Sequence, residues 1–459
     1  MTATTLATPR SLYDLVSRHD GRAPRYTSYP TAVQFAPAVD AATYRQWLAA
    51  LPADEAVSLY LHIPFCARLC WYCGCNTRAV NRHDPVEAYV AKLVEEIRMV
   101  AGALPGPIPA SAIHLGGGTP NMLSPKDMDR LFGALGRAFT MTADMEVAAE
   151  LDPPLLTREW VAAAASHGLR RASLGVQNLS PDVQAAVDRH ETIGEIARCV
   201  DWLRAEGVRS INLDLMYGLP HQNRSNTLST IEAILPLRPE RIALFGYAHV
   251  PWMKPHQKLI DEAALPDAPS RLDQGEAAAE RLQEAGYVRI GLDHFALPGD
   301  ELAVALAEGR LHRNFQGYTT DAAPALIGMG ASAIGAFPQG YVQNLTKELE
   351  WRDAVEAGDL PIARGVALTP DDRFRAEIIE RLMCDMAVDL EVIAARHGRD
   401  WSDLAGDLPR LDPFIDDGLL KREGPRLKVA QDGRLVVRAI AAVFDAYFEP
   451  EAGRHSRTL

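Results

Sequence analysis

Cysteine is scarce in this chain and unevenly placed, and that placement constrains what the chain can fold into. Four of the six cysteines lie within ten residues, in His62-Ile63-Pro64-Phe65-Cys66-Ala67-Arg68-Leu69-Cys70-Trp71-Tyr72-Cys73-Gly74-Cys75. The first three are spaced Cys-x3-Cys-x2-Cys and follow an apolar run, Val57 to Ile63, that predicts a β-strand. Thiolates are the usual ligands of iron–sulfur clusters, and a short loop can aim three of them at one cubane. A ferredoxin uses four thiolates per cluster with a different spacing, whereas three leave one iron open to a small molecule. Zinc is the competing reading, but a fourth cysteine two residues past the third fits a paired Cys-x2-Cys ribbon poorly. A disulfide framework needs an oxidising compartment, and Met1-Thr2-Ala3-Thr4-Thr5 lacks the apolar region of a secretory leader.

At 459 residues the chain can bury a large core and is expected to carry one big domain and a smaller one. Apolar residues make up 47%, a globular composition. No apolar run reaches membrane-span length, so no stable membrane insertion is expected, and the few clustered cysteines predict a cytoplasmic protein. The net charge of −13 argues against nucleic-acid binding, and an anionic substrate would need cations concentrated locally.

In Arg25-Tyr26-Thr27-Ser28-Tyr29-Pro30 the N-terminal arm carries two tyrosines in an irregular stretch, which pattern alone reads as a loop packed on a domain. A helix follows over Ala41–Leu51. Strand-like runs then occur at Ser58–Ile63, Ala112–Leu115, Glu146–Leu151, Arg171–Val176, Ile211–Met216 and Ile242–Tyr247. They alternate with helical patterns at Val86–Val100, Ser124–Phe139, Thr157–Ser166, Ile193–Glu206, Thr227–Leu235 and Arg271–Ala285. Six βα units are too few to close an eight-fold barrel, so an α/β fold is expected: an open three-quarter (β/α)6 TIM-like barrel. The predicted divisions are 1–52 for the arm and helix, 53–364 for the barrel with its extension, and 365–459 for a mainly helical C-terminal domain.

In parallel barrels chemistry gathers at the C-terminal strand ends, where the βα loops converge. Those ends carry the cysteines, Gly116-Gly117-Gly118-Thr119-Pro120, Glu150, Gln177-Asn178, Asp214 with Tyr217-Gly218-Leu219-Pro220, and Tyr247-Ala248-His249. Glycines after a strand expose backbone groups to a ligand. Asp214, between Leu213 and Leu215, either caps neighbouring groups or holds a ligand hydroxyl or ammonium. Further on, Gly286–Ala296 reads as one more strand carrying Asp293 and His294, and Gly328–Gly335 as a small-residue loop. The tail, Phe374–Phe448, predicts helices and a hairpin over Leu419–Val436, while Cys199 and Cys384 read as buried apolar residues.

The cysteine loop after the first strand resembles that of the radical S-adenosyl-L-methionine (SAM) enzymes. The resemblance implies that Cys66, Cys70 and Cys73 hold a 4Fe-4S cluster whose open iron chelates SAM, which reduction splits to methionine and a 5′-deoxyadenosyl radical. With the arm motif, Gly74-Cys75, Gly116 to Pro120, Tyr217 to Pro220, Tyr247-Ala248-His249, Asp293-His294-Phe295-Ala296 and His312-Arg313-Asn314-Phe315-Gln316-Gly317-Tyr318-Thr319-Thr320, the chain looks like the oxygen-independent coproporphyrinogen III dehydrogenases (oxidases). The likeness covers nearly the whole chain. It implies oxidative decarboxylation of two propionates of coproporphyrinogen III to vinyl groups, giving protoporphyrinogen IX in haem biosynthesis. It further implies SAM contacts at Tyr60, Tyr72, Gly117, Gly118, Thr119, Glu150, Gln177, Arg189, Asp214, Ala248 and Ile334, with one or two SAM molecules bound. Cys75 and Glu150 are the candidates for a direct catalytic part, and Arg25, His312 and Arg313 for the substrate carboxylates. A reducing partner such as flavodoxin and a monomeric state are expected. The alternatives are a haem-binding chaperone of the same superfamily and an iron–sulfur redox sensor.

Overall fold

The βα alternation is realised as a single twelve-stranded sheet in the computed structural model, which describes residues 12–19, 21 and 23–449. The outer ends of the arm and tail therefore lie outside the described residues. In chain order the sheet strands are β1 Val57–Ile63, β2 Pro109–Gly117, β3 Thr140–Leu151, β4 Leu169–Gln177, β5 Ser210–Tyr217 and β6 Arg241–Gly246. After these come β7 Val288–Ile290, β8 His294–Ala296, β9 Leu326–Met329, β10 Ile334–Phe337, β11 Gly340–Asn344 and β12 Ile362–Ala367. The spatial order is β12-β11-β10-β9-β1-β2-β3-β4-β5-β6-β8-β7. From β9 to β6 every neighbouring pair is parallel, and the strands added at both edges are antiparallel.

Each of the six expected strands and its following helix is present. Helix starts follow local chemistry: Ser124 with Asp127 and Thr192 with Glu195 form reciprocal caps that satisfy orphan N–H groups. Parallel strands covered on both faces read as unbroken apolar runs. Here β5 alternates instead. Ile211, Leu213 and Leu215 are buried, while Asn212 and Asp214 point to the other face. That second face, with Ser58, His114, Glu150, Ser173, Asp214 and Phe245 from successive strands β1 to β6, lines one cavity of about 1020 Å³.

Two local expectations are corrected. The stretch 286–296 is not one strand but the antiparallel pair β7 and β8, which reverses at Gly291, where φ is 52°. Residues 328–335 are not merely a loop, because Leu326–Met329 forms a parallel strand beside β1. Its brevity and its glycine hid it from any periodicity argument.

Helix Asp84–Ala103 pins that turn to β1. The buried Glu96 carboxylate accepts from Gly330 N (2.7 Å), Trp351 Nε1 (3.0 Å) and Asn344 Nδ2 (2.6 Å). Tyr89 donates to the His62 carbonyl (2.8 Å) and accepts from Ala331 N (2.9 Å). Because all three partners of Glu96 donate, Glu96→Gln turns an amide N–H2 toward donors. It is expected to lower stability by about 2–4 kcal/mol. An unchanged anaerobic melting temperature would refute this account of Glu96.

The core has two large parts and two small satellites among the described residues. One large part joins the sheet, its helices and Tyr44, Trp47 and Leu48 of helix Ala41–Ala49. The other joins the tail to Val16, Ala23, Tyr26 and Tyr29 of the arm. The tail itself combines helices such as Pro370–Asp385 with a three-stranded antiparallel sheet, so its helical content is interrupted by Ala387–Asp389, Leu420–Glu423 and Arg426–Val429. Tyr26 donates to Asp445 Oδ2 (3.0 Å), and the Tyr29 hydroxyl accepts from Ala446 N (3.0 Å). The two tyrosines are thus packing residues of the C-terminal core, as the pattern of the arm suggests. Cys199 and Cys384 are buried.

Candidate active site

The loop after β1 is fixed at its ends by a short backbone ladder. Arg78 N donates to the Pro64 carbonyl (3.0 Å) and Val80 N to the Cys66 carbonyl (2.8 Å). Cys66, Cys70 and Cys73 are half-buried, and Cys75 is exposed. Thr119 Oγ1 donates to Cys66 Sγ (3.3 Å), and Thr77 Oγ1 lies 3.2 Å from the same sulfur. Arg189 Nη1 approaches Cys70 Sγ at 3.5 Å, and Cys75 N approaches Cys73 Sγ at 3.4 Å. Burial pushes the Cys66 and Cys70 thiols up, while the hydrogen bond from the Cys75 side chain pulls Cys73 down to about 6. Buried thiolates need positive charge and hydroxyl or N–H donors, and these sulfurs have donors already in place. Among the described residues no three His, Cys, Asp or Glu side chains converge on one ion-sized point. A cubane places one thiolate on each of three irons, so its ligands need not converge in that way. The donor set therefore fits a three-thiolate cluster.

Sequence gave no hint of what supports the loop from behind. The segment after β6 reaches across to it: Lys254 Nζ donates to the Cys75 carbonyl (2.9 Å), His256 Nε2 to the Cys73 carbonyl (2.7 Å) and Gln257 Nε2 to the Tyr72 carbonyl (3.0 Å). Residues nearly two hundred positions apart meet here, and no local pattern encodes such a contact.

The strand ends beside the loop assemble most of the expected ligand contacts. Gly117 N donates to Glu150 Oε2 (3.1 Å), and His114 Nε2 lies 3.2 Å from Glu150 Oε1. Tyr60 stacks on His114 with ring centroids 5.7 Å apart and hydrogen-bonds His62 Nδ1 (3.0 Å). A Cβ at Gly118 would stand 2.6 Å from the Phe65 carbonyl oxygen, so side chains are excluded where β2 passes the loop. Asp214 accepts from Ser173 Oγ (2.8 Å) and Asn212 Nδ2 (2.7 Å), and burial raises its pKa. Gln177 ends β4 in the left-handed region, with φ of 62°. Arg189 is held by Asp152 (2.8 Å), Glu191 (2.5 Å) and the Gly175 carbonyl (2.6 Å), so its charge is shared with two carboxylates at the edge of the cysteines. The Ala248 carbonyl is 3.4 Å from Gln257 Nε2, Tyr72 packs against a small apolar cluster containing Tyr247 and Leu219, and Ile334 opens β10.

None of the candidates for substrate carboxylates, Arg25, His312 and Arg313, lines the large cavity, although neighbours in the same segment do. Asn314, Gln316 and Tyr318 line the large cavity. His312 and Arg313 line a different one of about 500 Å³ between the arm and helix Pro370–Asp385, where His312 Nδ1 meets Glu380 Oε1 (3.2 Å). Arg313 lies over the Tyr318 ring at 4.4 Å and donates to the Arg25 carbonyl (3.3 Å). Arg25 itself reaches the end of β6, donating to the Gly246 carbonyl (3.2 Å).

A parallel sheet with three cysteines at its mouth defines a radical SAM protein, and the Radical SAM superfamily profile matches residues 60–234. The HemN C-terminal domain profile matches residues 368–436. An oxygen-independent coproporphyrinogen III oxidase of Bradyrhizobium diazoefficiens is 49% identical, over 97% of this chain and 99% of the relative. Another, from Synechocystis, is 37% identical over 97% of each chain. The solved coproporphyrinogen III oxidase of Escherichia coli, described as a radical SAM enzyme, is 37% identical with a TM-score of 0.89, covering 92% of this chain and 98% of that one. This chain belongs to the oxygen-independent coproporphyrinogen III oxidase family.

Proposed function

We propose that this chain is the oxygen-independent coproporphyrinogen III oxidase of its cell, converting two propionates of coproporphyrinogen III to vinyl groups by oxidative decarboxylation. The observation that carries this reading is likeness to oxidases over 97% of the chain, in a chain where Glu150, bonded to Gly117 beside the cysteine loop, and Asp214 line a cavity of about 1020 Å³. The six βα units, with side chains of β1 to β6 around that cavity, support the three-quarter (β/α)6 description, and residues 52 and 364 serve as working domain limits. Cys66, Cys70 and Cys73 would hold a 4Fe-4S cluster and its open iron would take SAM. When bound, these groups supply the one-electron chemistry that removes a hydrogen atom from a propionate side chain.

The chain's own residues do the rest. Thr77, Thr119 and Arg189 direct donors at the sulfurs of Cys66 and Cys70 and so favour the thiolate form against the burial that opposes it. Gly117 and Gly118 present bare backbone, and Glu150 and Asp214 present carboxylates that suit an ammonium or ribose hydroxyls. Tyr60, Tyr72, Gln177, Ala248 and Ile334 shape the remaining wall. Coproporphyrinogen III is the substrate partner, and a flavodoxin-like reductant, a monomer and a cytoplasmic location complete the reading. Among the described residues no helix is long and apolar enough to cross a membrane.

Glu150→Gln and Asp214→Asn are each expected to weaken SAM binding ten- to a hundredfold, about 1.5–3 kcal/mol, with iron content unchanged. Equilibrium binding to reconstituted protein checks this, and unaltered affinity in both variants would place these carboxylates outside the site. The reading as a whole is tested by anaerobic incubation of reconstituted protein with SAM, a reductant and coproporphyrinogen III, followed by porphyrin analysis. Tight haem binding without decarboxylation would favour a chaperone instead.

A further inference from the structure

A second cavity, of about 260 Å³, opens just beyond the end of β6. Four distant parts of the chain each bring an arginine to it: Arg25 from the arm, Arg271 from helix Ala268–Glu284, Arg289 from β7 and Arg438 from the tail. The acidic side chains on its wall are Glu276 and Asp293. In a protein of net charge −13, four guanidiniums around so small a space are a deliberate concentration of positive charge. Arg438 is only 4% exposed, so part of that charge is held away from water.

Some of this charge serves the fold. Arg25 donates to the Gly246 carbonyl (3.2 Å) and Arg271 to the Tyr247 carbonyl (2.7 Å), which fixes the strand end. Arg289 grips both oxygens of Glu276 (3.0 and 3.3 Å). A guanidinium carries five N–H donors, however, and Arg25 and Arg289 use one and two of theirs in these bonds. Asp293 pairs with His294 Nδ1 (2.8 Å). Its burial works against ionisation, yet the His294 hydrogen bond, with His294, Arg313 and Arg25 as nearby charges, holds it well below the usual carboxylate range.

The position of the cavity matters as much as its charge. Ala248, one of the expected SAM contacts, lines it, so it shares the strand-end mouth with the cysteine loop. Trp252 forms part of its lip, and Trp252 and Met253 are both 61% exposed. The next residue, Lys254, is bonded to the cysteine loop at the Cys75 carbonyl. Two exposed apolar side chains therefore lie in the short segment between the arginine cleft and the residue that grips the cysteine loop. The cleft is too small for a tetrapyrrole but admits one carboxyethyl arm.

We propose that this cleft, through Arg25 and Arg289 with Arg271 and Arg438 behind them, binds the carboxylate of a propionate that is not reacting, while the macrocycle lies on Trp252 and Met253. The inference rests on the oxidase reading and specifies how that substrate is held. Two of the four carboxylates survive the reaction. A contact to a surviving one is the same in substrate and product, so it contributes binding and placement of the ring rather than chemistry. Arginine suits the task because its planar fork matches a carboxylate bidentately.

The test uses the full-length reconstituted protein and two stable probes, coproporphyrin III and its tetramethyl ester, titrated anaerobically by fluorescence. Arg25→Gln and Arg289→Gln are each expected to raise the Kd for coproporphyrin III about ten- to a hundredfold and to leave that for the ester unchanged. Trp252→Ala is expected to weaken both probes alike. Arginine variants that bind coproporphyrin III as the unsubstituted chain does would overturn the assignment. So would variants that lose the ester equally, since that marks damage to the fold. The two readings fail separately. If the unsubstituted protein yields no porphyrin product from coproporphyrinogen III, the oxidase reading falls. If it turns over and the arginine variants bind normally, only the cleft falls.

Discussion

Alanine at Cys66, Cys70 or Cys73 is expected to strip the reconstituted protein of its cluster iron and visible absorption, and to abolish both SAM cleavage and porphyrin formation. Two thiolates do not retain a cubane, so each single change should be as severe as all three. Cys75→Ala is expected to behave differently, although Cys75 lies only two residues from Cys73. Its neighbours at 66, 70 and 73 are half-buried, each with a donor directed at its sulfur, whereas Cys75 is exposed and donates through its own N–H to Cys73. Its carbonyl, which alanine keeps, is the group bound by Lys254. Iron should therefore remain in Cys75→Ala, with any defect confined to turnover. Iron analysis decides the matter. Loss from Cys75→Ala as complete as from Cys70→Ala would mean that the ligand set is drawn wrongly.

What the sequence revealed, and what it hid, follows from the range of the interactions involved. Val57–Ile63 was legible to within a residue because Val57, Leu59, Leu61 and Ile63 alternate with Ser58, Tyr60 and His62, the period of a strand with one face in the core. Asp214 stood out for a related reason: a carboxylate alternating with leucines must face a polar lumen, and it does. Leu326–Met329 was missed because a four-residue strand containing glycine carries no measurable period. Its strand identity comes from β1, which pairs with it across more than 260 residues of chain. The arm was legible only in part. Tyr26 and Tyr29 read as packing from pattern alone and do complete the C-terminal core, but nothing local showed which core they would join or that Arg25 beside them turns toward the barrel end. The arginine cleft was invisible for the same reason as the Lys254–Gln257 brace. Each is assembled from segments that no window of sequence brings together.

Gly117→Ala is expected to damage the ligand site severely. The residue has φ of +114°, a conformation that costs an L-residue about 1–2 kcal/mol. Its Cβ would also stand 2.6 Å from His62 Cε1 and 2.7 Å from Nδ1, well inside contact distance. The imidazole cannot swing aside cheaply. Its Nδ1 accepts from Tyr60 (3.0 Å), and its Nε2 donates to the Asn76 carbonyl (2.9 Å), one residue past Cys75. Relief must therefore come from the cysteine loop or from the Gly117 N–H, which would then leave Glu150. Both movements reach the ligand site. SAM affinity is expected to fall by more than the ten- to hundredfold of Glu150→Gln, and iron loading should suffer with it. Gly136→Ala is the matched control, because that glycine lies in helix Pro125–Ala138 with nothing within 4 Å of a Cβ. There the extra methyl should raise stability by about 0.5–1 kcal/mol, since alanine loses less backbone freedom on folding. Anaerobic melting and SAM titration of the two variants side by side measure the contrast. If Gly117→Ala bound SAM within threefold of the unsubstituted protein, His62 would not be the rigid wall described here, and the link from β2 through His62 to the cysteine loop would have to be abandoned.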